Sequence, residues 1–380
     1  MSIIESVRST LVDCPLPAAA VFSTRRVVSR QYLLVRVRCD DGVEGIGATY
    51  CGDRGGELCQ QAVQGLLASV VLGRDPHATE ALWHTMYQES LLQGRAGSVL
   101  RALGAIDIAL WDHNARAAAV PLWKYLGAFH EGSVPAYVSG GYYYEENDEK
   151  HLAEEMARNC AAGFAAMKMK VGRMSHSIDT RRVAAAREAM GPDRHLMLDA
   201  NNSWSDVPEA MRFLRRVADY EPYWIEEPFG PDDIDNHARL TRISPVPVAT
   251  GEVEAGHWRF REIVRNEAAN ILQPDVFACG GITEWRRIAN YAAACGLPVC
   301  THAWQEFHAP LIAAAPNGLY VEYFADERIV NLQQMIDTPT LVRDGRIVLS
   351  DKPGLGFDFD AEAVDRLARI PWQEVRRENR

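Results

Sequence analysis

The sequence predicts an α/β fold in which a closed parallel barrel follows an α+β cap, and two observations support this prediction. Short apolar runs recur at roughly 20–30-residue intervals with helical stretches between them, which is the period of a βα unit. A polar residue capable of chemistry ends each run. The runs that we interpret as buried strands are AAMKMKV, HLMLDA, YWIEE, VPVATGE, ANILQPD, LPVCTHA and LYVEYF. Strand ends in such a barrel meet at one mouth, so these polar residues are expected to converge on one pocket.

Residues 1–125 do not follow this period and are predicted to form the cap. The pair Asp41-Gly42 stands between two strand-like runs in QYLLVRVRCDDGVEGIGATY, which predicts a hairpin. Apolar residues at helical spacing then predict helices over 57–72, 76–93 and 96–118. Strands followed by helices indicate an α+β unit that is separate from the barrel.

The barrel is predicted over residues 126–350, and the tail, residues 351–380, is predicted to return to the cap. The repeats begin with VPAYVSGG, and counting LYVEYF gives eight strands, enough to close a barrel even if one unit is irregular. Glycine and proline in DKPGLGFDFD end the pattern. Helices are predicted between the strands over 148–162, 176–190, 206–218, 232–243, 256–267 and 283–295.

The composition argues against several classes of function. The 380-residue chain has a net charge of −11 and no basic run, which argues against nucleic acid as a partner. No apolar run approaches the ~18 residues that cross a bilayer, and charged residues interrupt MSIIESVRSTLVDC, where a secretory signal needs an apolar core. We therefore predict a cytoplasmic protein without a membrane partner. The eight cysteines lack zinc-ligand spacing, so reduced, packed thiols are expected.

Three acidic residues, Asp199, Glu226 and Glu252, end successive predicted strands. Side by side at the mouth, their carboxylates would repel one another unless a cation lay between them. Oxygen ligands favour a hard cation, and we predict one magnesium ion per subunit. The alternative is that each carboxylate only caps backbone NH groups of its own loop.

Two lysines and a histidine are candidate proton carriers. Because side chains alternate along a strand, Lys168 and Lys170 face the same side, and burial near a cation should lower the pKa of each toward that of a useful base. The alternative is an edge strand with solvated lysines. His302 ends LPVCTHA and Asp275 ends the preceding strand, so the carboxylate can orient the imidazole as a second acid/base group. A purely structural histidine is the alternative.

The motifs KMK, LDANN, WIEEP, TGE, QPDV and THAWQEFHAPLIAAAPN together resemble the mandelate racemase branch of the enolase superfamily over nearly the whole chain. The resemblance implies a modified (β/α)7β TIM barrel with an N-terminal α+β capping domain, and a Lys or His base that works with magnesium. Matched motif by motif, the resemblance implies that Asp199, Glu226 and Glu252 are magnesium ligands. It also implies that Lys170 is the base and that Lys168 contacts the substrate carboxylate. On the opposite side it implies a dyad of His302 and Asp275, and a carboxyl group at Glu322 that donates to the enolate.

Two segments, 13–22 and 48–56, resemble the flexible loops that cover the mouth in this family. These segments and the strand ends supply the candidates for substrate binding, which are Phe22, Arg25, Tyr50, Tyr143, Asn201 and Trp304. An arginine here suits a hydroxyl or a distal carboxylate, and the alternative is ordinary surface charge. The aromatic residues could equally pack between barrel and cap.

The resemblance implies removal of the proton α to a carboxylate in a small anionic substrate. Family members with both a Lys-x-Lys pair and a His–Asp dyad mostly act on acid sugars, so we expect dehydration of a sugar acid to a 2-keto-3-deoxy sugar acid. The alternative is a racemase or epimerase of a 2-hydroxy acid, favoured if the apolar segment 13–22 dominates the pocket. A non-catalytic binding barrel is the third hypothesis, and the complete set of charged residues argues against it. Because members of the family are often dimers or octamers, a homo-oligomer is expected.

Overall fold

The computed structural model describes residues 2–144, 148–326 and 329–378, and its first part is an antiparallel sheet with helices packed on it. The strands are β1 (Ile4–Phe22), β2 (Arg25–Cys39) and β3 (Glu44–Tyr50). The helices are α1 (Glu57–Ala62), α2 (Ala68–Val71), α3 (Thr79–Glu89), α4 (Ser98–Ala117) and α5 (Leu122–Tyr125), with a π-helical turn, Val63–Leu67, between the first two. The predicted hairpin is β2–β3, in which Gly42 has a φ of 81° and the Val43 amide donates to Asp41 Oδ1 at 2.9 Å.

The long helix α4 packs directly against β3. A Cβ at Gly47 would lie 2.0 Å from the carbonyl oxygen of Ala105, and a Cβ at Gly45 would lie 2.1 Å from that of Ala109. Glycine at both positions therefore allows the backbone of the strand to touch the helix. This contact fixes the position of Tyr50, the last residue of β3, which lines the pocket described below.

The second part of the chain alternates strands and helices. The strands are β4 (Ser133–Ser139), β5 (Ala166–Lys170), β6 (His195–Asp199), β7 (Trp224–Glu226), β8 (Val248–Thr250), β9 (Ile271–Leu272) and β10 (Val321–Tyr323). The helices are α6 (Asp148–Ala161), α7 (His176–Met190), α8 (Val207–Val217), α9 (Ile234–Ile243), α10 (Gly256–Arg265), α11 (Val276–Cys279), α12 (Ile282–Ala294) and α13 (Gln305–Ala314), with a 3-10 turn at Ala218–Tyr220.

Hydrogen bonds close these strands into a ring of eight segments. Strands β4 to β9 pair in parallel in chain order, and β10 returns to pair with β4. The run LPVCTHA supplies the seventh segment through single bridges, from Val299 to Leu272 on one side and to Gly318 on the other. The predicted (β/α)7β barrel with an N-terminal cap is confirmed, and the irregular unit lies at this seventh segment.

The end of the chain contacts both parts. It contains a 3-10 turn (Leu332–Met335), β11 (Val342–Arg343), β12 (Arg346–Val348), α14 (Ala361–Leu367) and β13 (Ala368–Arg376). Strand β12 pairs antiparallel with β4, whereas β13 pairs antiparallel with β1, so the cap sheet has the order β13-β1-β2-β3. The domain boundaries at 125 and 350 stay a prediction.

The segment 13–22 differs from the flexible loop that its sequence suggested. It forms the second half of β1, and Val21 and Phe22 pair with Arg26 and Arg25 of β2 beyond an irregular stretch that follows Pro15. The eight cysteines all lie in the described ranges, and each is a free thiol. Among the helices of those ranges, none has the length and apolar character needed to span a bilayer.

Candidate active site

The candidate functional residues of the barrel lie on neighbouring strand ends. Lys170 at the end of β5 pairs with Asp199 at the end of β6, and Asp199 pairs with Glu226 at the end of β7. Because alternate residues of a strand face the same way, Lys168 points to the same side as Lys170. Strand β10, which pairs with the first strand of the ring, contributes Glu322. The parallel register therefore aligns residues that are far apart in sequence.

Both lysines are buried against carboxylates. Lys168 Nζ lies 2.8 Å from Glu322 Oε1 and 3.5 Å from Asp199 Oδ2, and it also contacts Glu226 Oε1. Lys170 Nζ lies 2.5 Å from Asp199 Oδ2. Lys168 is 1% exposed and Lys170 is 5% exposed, so these groups form one buried network of opposite charges rather than solvated side chains on an edge strand.

This network shifts the pKa values of its members away from the values that the sequence led us to expect. Burial lowers the pKa of each lysine, but the nearby carboxylates raise it more, so both lysines have a pKa above the ordinary value. Burial raises the pKa of Asp199 and Glu322, whereas the lysines lower it more, so both acids have a pKa below the ordinary value. The expected low lysine pKa and the expected protonated Glu322 are therefore wrong for this arrangement, because each ammonium group touches a carboxylate.

A histidine–aspartate pair also belongs to the mouth. Asp275 caps α11, where its Oδ1 accepts from the Phe277 amide at 2.7 Å. Its Oδ2 accepts from Trp304 Nε1 at 2.9 Å and lies 2.8 Å from His302 Nδ1. Because a carboxylate can only accept, Nδ1 carries a proton and Nε2 is the nitrogen near Glu252, at 3.5 Å. Burial lowers the pKa of His302, and Glu252 and Asp275 raise it to about 10 overall.

The acidic part of the mouth has the donor chemistry of a magnesium site. Two oxygens that accept hydrogen bonds, Asn201 Oδ1 and Glu227 Oε1, are buried and have no hydrogen-bond partner in the described part of the chain. Their residues line the same pocket as Glu252, and oxygen ligands of this kind suit a hard cation. Within the described ranges, however, no three His, Cys, Asp or Glu side chains are grouped closely enough to hold a metal. Asp199 and Glu226 are instead turned toward the lysines.

A pocket of about 550 Å³ opens over these residues, between the barrel and the cap. It is lined by five of the six predicted substrate-binding residues, namely Phe22, Arg25, Tyr50, Asn201 and Trp304. Tyr143 does not line this pocket, because its hydroxyl donates to Asp179 at 3.0 Å and its ring centre lies 4.0 Å from the Arg182 guanidinium, so its role in substrate binding stays a prediction. Its neighbour Tyr142 lines the pocket instead.

The tip of the β1–β2 hairpin is hydrogen-bonded to the rim of the barrel. Ser23 Oγ donates to the Val171 carbonyl at 2.5 Å, and Thr24 Oγ1 donates to the Asn201 carbonyl at 3.1 Å. Val171 directly follows Lys170, and Asn201 lies two residues after Asp199. The cap is thereby held next to the charged residues of the mouth.

Comparison with known proteins identifies the family of the chain. Residues 6–127 match the N-terminal domain of mandelate racemase / muconate lactonizing enzyme, and residues 151–364 match the enolase C-terminal domain-like family. The chain belongs to the mandelate racemase/muconate lactonizing enzyme family. The motifs from KMK to THAWQEFHAPLIAAAPN therefore resemble this family because the chain is a member of it.

Several members of the family align with nearly the whole chain. The 3,6-anhydro-alpha-L-galactonate cycloisomerase of Streptomyces coelicolor is 35% identical over 96% of this chain and 99% of its own length. The L-talarate/galactarate dehydratase of Salmonella typhimurium is 33% identical over 95% of this chain and 90% of its own length. A crystal structure of an L-talarate/galactarate dehydratase mutant with Mg and L-glucarate has a TM-score of 0.91 at 30% identity, covering 99% of this chain and 94% of that one.

The pocket of this mandelate racemase/muconate lactonizing enzyme family member contains residues that sequence reasoning missed. Glu227, the second glutamate of WIEEP, and the cap arginines Arg30 and Arg101 all line it. A signal for Arg30 exists in the alternation of β2, because Arg30 has the same parity as Tyr32 and Leu34, whose side chains belong to the core shared with the barrel. No comparable pattern marks Glu227 or Arg101.

Proposed function

We propose that this chain is a magnesium-dependent sugar acid dehydratase, a hydro-lyase that removes the proton α to a carboxylate and releases the β-hydroxyl as water. The product is a 2-keto-3-deoxy sugar acid, formed through an enediolate. One observation carries the proposal: Lys168, Lys170 and His302 line a single pocket. Two relatives support the proposal. One is an L-talarate/galactarate dehydratase that aligns with nearly the whole chain, and the other is a solved structure of such a dehydratase with bound Mg.

In this proposal Asp199, Glu226 and Glu252 hold one magnesium ion per subunit. The bound ion supplies Lewis-acid neutralisation of the charge that develops on the substrate carboxylate. The carboxylates that would hold the ion include the two that the lysines contact in this structure, Glu226 and Asp199. Lys168 donates to the substrate carboxylate, and Glu322, which accepts from the Ala303 amide at 2.6 Å, positions Lys168.

The proton transfers are assigned to Lys170 and His302. Lys170 first loses a proton to water, and its neutral amine then takes the α-proton and becomes an ammonium group, while the electron pair of the C–H bond enters the enediolate. His302 gives the proton on Nε2 to the β-hydroxyl while the C–O bond breaks, so that water leaves and the resulting enol becomes the keto acid. Asp275 keeps Nδ1 protonated, which leaves Nε2 as the nitrogen that transfers.

Two rival functions share the first step. Cycloisomerisation is the second candidate, because the Streptomyces coelicolor relative has that activity and its elimination differs only in that the leaving oxygen belongs to a ring. Racemisation or epimerisation of a 2-hydroxy acid would be favoured by an apolar cover over the mouth. The pocket wall carries Arg25, Arg26 and Arg30 beside Phe22, which disfavours that alternative.

The proposal also extends to partners and location. The substrate is a small anionic carboxylate, and neither nucleic acid nor a membrane is a partner. We further propose that the chain is cytoplasmic and forms a homo-oligomer, a dimer or an octamer, because members of its family often do. Light scattering of the purified chain would distinguish these states from a monomer.

The central experiment uses the purified chain, magnesium and a panel of sugar acids. Keto acid is detected with semicarbazide, and release of the α-proton is detected by deuterium incorporation in deuterated water. We expect keto acid from at least one acid, no reaction with Lys170→Ala, and α-proton exchange without keto acid with His302→Asn.

Other outcomes would contradict dehydration. Inversion of the α-carbon without keto acid would favour the racemase. Opening of a lactone or anhydro ring, with no reaction of the open-chain acids, would favour the cycloisomerase. The absence of exchange, elimination and inversion with every acid would favour a binding protein.

A further inference from the structure

Arg30 is a buried cation on the cap side of the pocket that the proposed reaction does not use. It is 8% exposed, and its Nε donates to the Ile329 carbonyl at 2.6 Å. Its guanidinium carbon lies 5.3 Å from the centre of the Tyr50 ring. Burial lowers the pKa of Arg30, and the neighbouring tyrosines Tyr50, Tyr32 and Tyr142 raise it overall. Among the residues that the structure describes, Arg30 is therefore a buried charge without an acidic partner.

A second buried arginine provides a contrast within the same chain. Arg182 is fully buried and pairs with both Asp148 and Asp179, which lies 3.6 Å from it. Removing a guanidinium from water is costly unless a partner of opposite charge compensates for it. Arg182 has such partners in the protein. For Arg30, the pocket that it lines is the place from which an anion can supply one.

Arg101 adds a second cation to the same region. Its Nη1 donates to the Tyr50 carbonyl at 3.1 Å, and its side chain lines the pocket. The two guanidinium groups therefore lie against one residue, Arg30 at the ring of Tyr50 and Arg101 at its carbonyl. Arg54, which also lines the pocket, is by contrast 88% exposed, so water screens its charge.

Contacts through aromatic rings relate Arg30 to both proposed proton carriers. Tyr142 lies with its ring 5.4 Å from Lys170 Nζ, and it interacts electrostatically with both Lys170 and Arg30. On the other side, the Tyr50 ring lies 5.0 Å from the ring of Trp304, which is hydrogen-bonded to the partner of His302. One ring, Tyr142, thus lies between Arg30 and Lys170, and two rings, Tyr50 and Trp304, lie between Arg30 and the partner of His302. Arg30 belongs to the cap, on strand β2.

We propose that Arg30, supported by Arg101, binds a second carboxylate at the far end of the substrate, so that this chain prefers sugar diacids to the corresponding sugar monoacids. The inference rests on the proposed dehydration and specifies its substrate class. A guanidinium can hold a carboxylate through two parallel hydrogen bonds, which a terminal CH₂OH group cannot replace. With a monoacid in the pocket, Arg30 would remain without a counter-ion.

The test compares diacid and monoacid substrates that share chain length and stereochemistry. For the unaltered chain with magnesium, we expect kcat/KM to be at least about tenfold higher for the diacid, since charge-assisted hydrogen bonds add to its binding. Arg30→Gln should lower kcat/KM for the diacid by about 10- to 100-fold, mainly through KM, and should change the monoacid value by less than about threefold. Arg30→Lys should fall between the two, because it keeps the charge but loses the planar fork.

Arg38→Gln is the matched control, because Arg38 lies on the same strand, is exposed and does not line the pocket. It should leave both substrates unchanged. An independent measurement is calorimetric binding of each acid to Lys170→Ala, in which the diacid should bind more tightly and lose that advantage when Arg30→Gln is added. If circular dichroism shows that Arg30→Gln does not fold, diacid and monoacid are compared in Arg30→Lys and Arg101→Gln instead.

The results separate a failure of the second carboxylate site from a failure of the reaction. Dehydration of monoacids with equal or poorer use of diacids would overturn the site and leave the proposed reaction intact. An equal loss for both substrates in Arg30→Gln would assign Arg30 to structural support and would also overturn it. If neither acid loses or exchanges its α-proton, the proposed function is wrong, and the inference falls with it.

Discussion

At the residue scale, the proposed reaction requires Asp275 to determine which nitrogen of His302 transfers a proton, and Asp275→Asn tests this role. The asparagine oxygen can still accept from the Phe277 amide and cap α11, but its NH₂ group can no longer fix a proton on His302 Nδ1. We expect kcat to fall by about 10²- to 10⁴-fold, and the free energy of unfolding to fall by about 1–3 kcal/mol because the buried Trp304 Nε1 loses its acceptor. Steady-state kinetics with a sugar acid and a circular dichroism melt measure the two quantities.

A matched control is available because Asp206 caps another helix in the same way. Its Oδ1 accepts from the Glu209 amide at 2.7 Å at the start of α8, and Asp206 does not line the pocket. Asparagine is about as good a cap as aspartate, so Asp206→Asn should leave kcat and stability nearly unchanged. Equal kcat values for the two variants would contradict the role of Asp275.

The sequence predicts on which side of the barrel wall a side chain lies where the backbone is a regular strand. It does not predict this where the backbone turns. Lys168 and Lys170 stand two residues apart in the regular strand AMKMK, so alternation alone places both on one side. Tyr142 and Tyr143 follow β4 after Gly141, which has a φ of 61°, so the rule of alternate sides no longer applies there. The sequence therefore led to Tyr143, whereas Tyr142 is the tyrosine that lines the pocket.

At the scale of elements, the contact between β3 and α4 depends on the absence of a side chain at Gly47. Gly47→Ala would place a Cβ 2.0 Å from a helix backbone oxygen, which cannot move aside as a flexible side chain can. We expect a loss of at least about 1–3 kcal/mol in the free energy of unfolding, the usual effect of overpacking. Urea unfolding measures this loss. Gly230→Ala is the control, since a Cβ there meets nothing within 4 Å, and an equal loss in both variants would contradict the explanation.

Helices were easier to predict than the strands of the cap and the last strands of the barrel. The predicted helix over 176–190 coincides with α7, because an apolar period and a serine cap mark it in the sequence. The first strand was missed, since Pro15, Pro17 and the alanines near them lack a strand pattern although the segment pairs with β2. The seventh barrel segment was predicted as a strand, but it pairs with its neighbours only through single bridges. The extent of this pairing depends on the neighbouring segments, so the sequence of the run does not show it.

At the scale of the whole molecule, a buried acid joins the cap to the barrel. Asp107 of α4 accepts from the Thr283 amide at 2.9 Å and from its hydroxyl at 2.6 Å, at the start of α12. Burial raises the pKa of Asp107 from 3.8 to about 7, even though these hydrogen bonds lower it. Between these two values the folded chain holds a proton that the unfolded chain has lost. The contribution of Asp107 to stability is therefore fully present below about pH 4 and is lost as the pH rises toward 7, by at most about 1.4 kcal/mol per pH unit.

Asp107→Asn removes this titration and keeps an oxygen acceptor. We expect the variant to lose less stability than the unaltered chain between pH 5 and about pH 8, whatever its stability at either value. Urea unfolding midpoints at the two pH values measure the difference. An identical loss in both proteins would show that Asp107 remains ionised in the folded state and that the junction does not respond to pH.

Magnesium connects the candidate site to the stability of the whole molecule and can be tested without an assay of activity. The proposed ligands come from strands β6 and β7 and from the residues after β8, so an ion that they bind only in the folded chain would stabilise all of these segments together. At a concentration about 100 times its Kd, the gain is about 2.7 kcal/mol, which should raise the melting temperature by several degrees and be reversed by a chelator.

Glu252→Gln should weaken this response, whereas the control Glu209→Gln, at an exposed helix start, should keep it. An equal rise in all three proteins would indicate that magnesium binds elsewhere, and no rise in any of them would contradict the magnesium site.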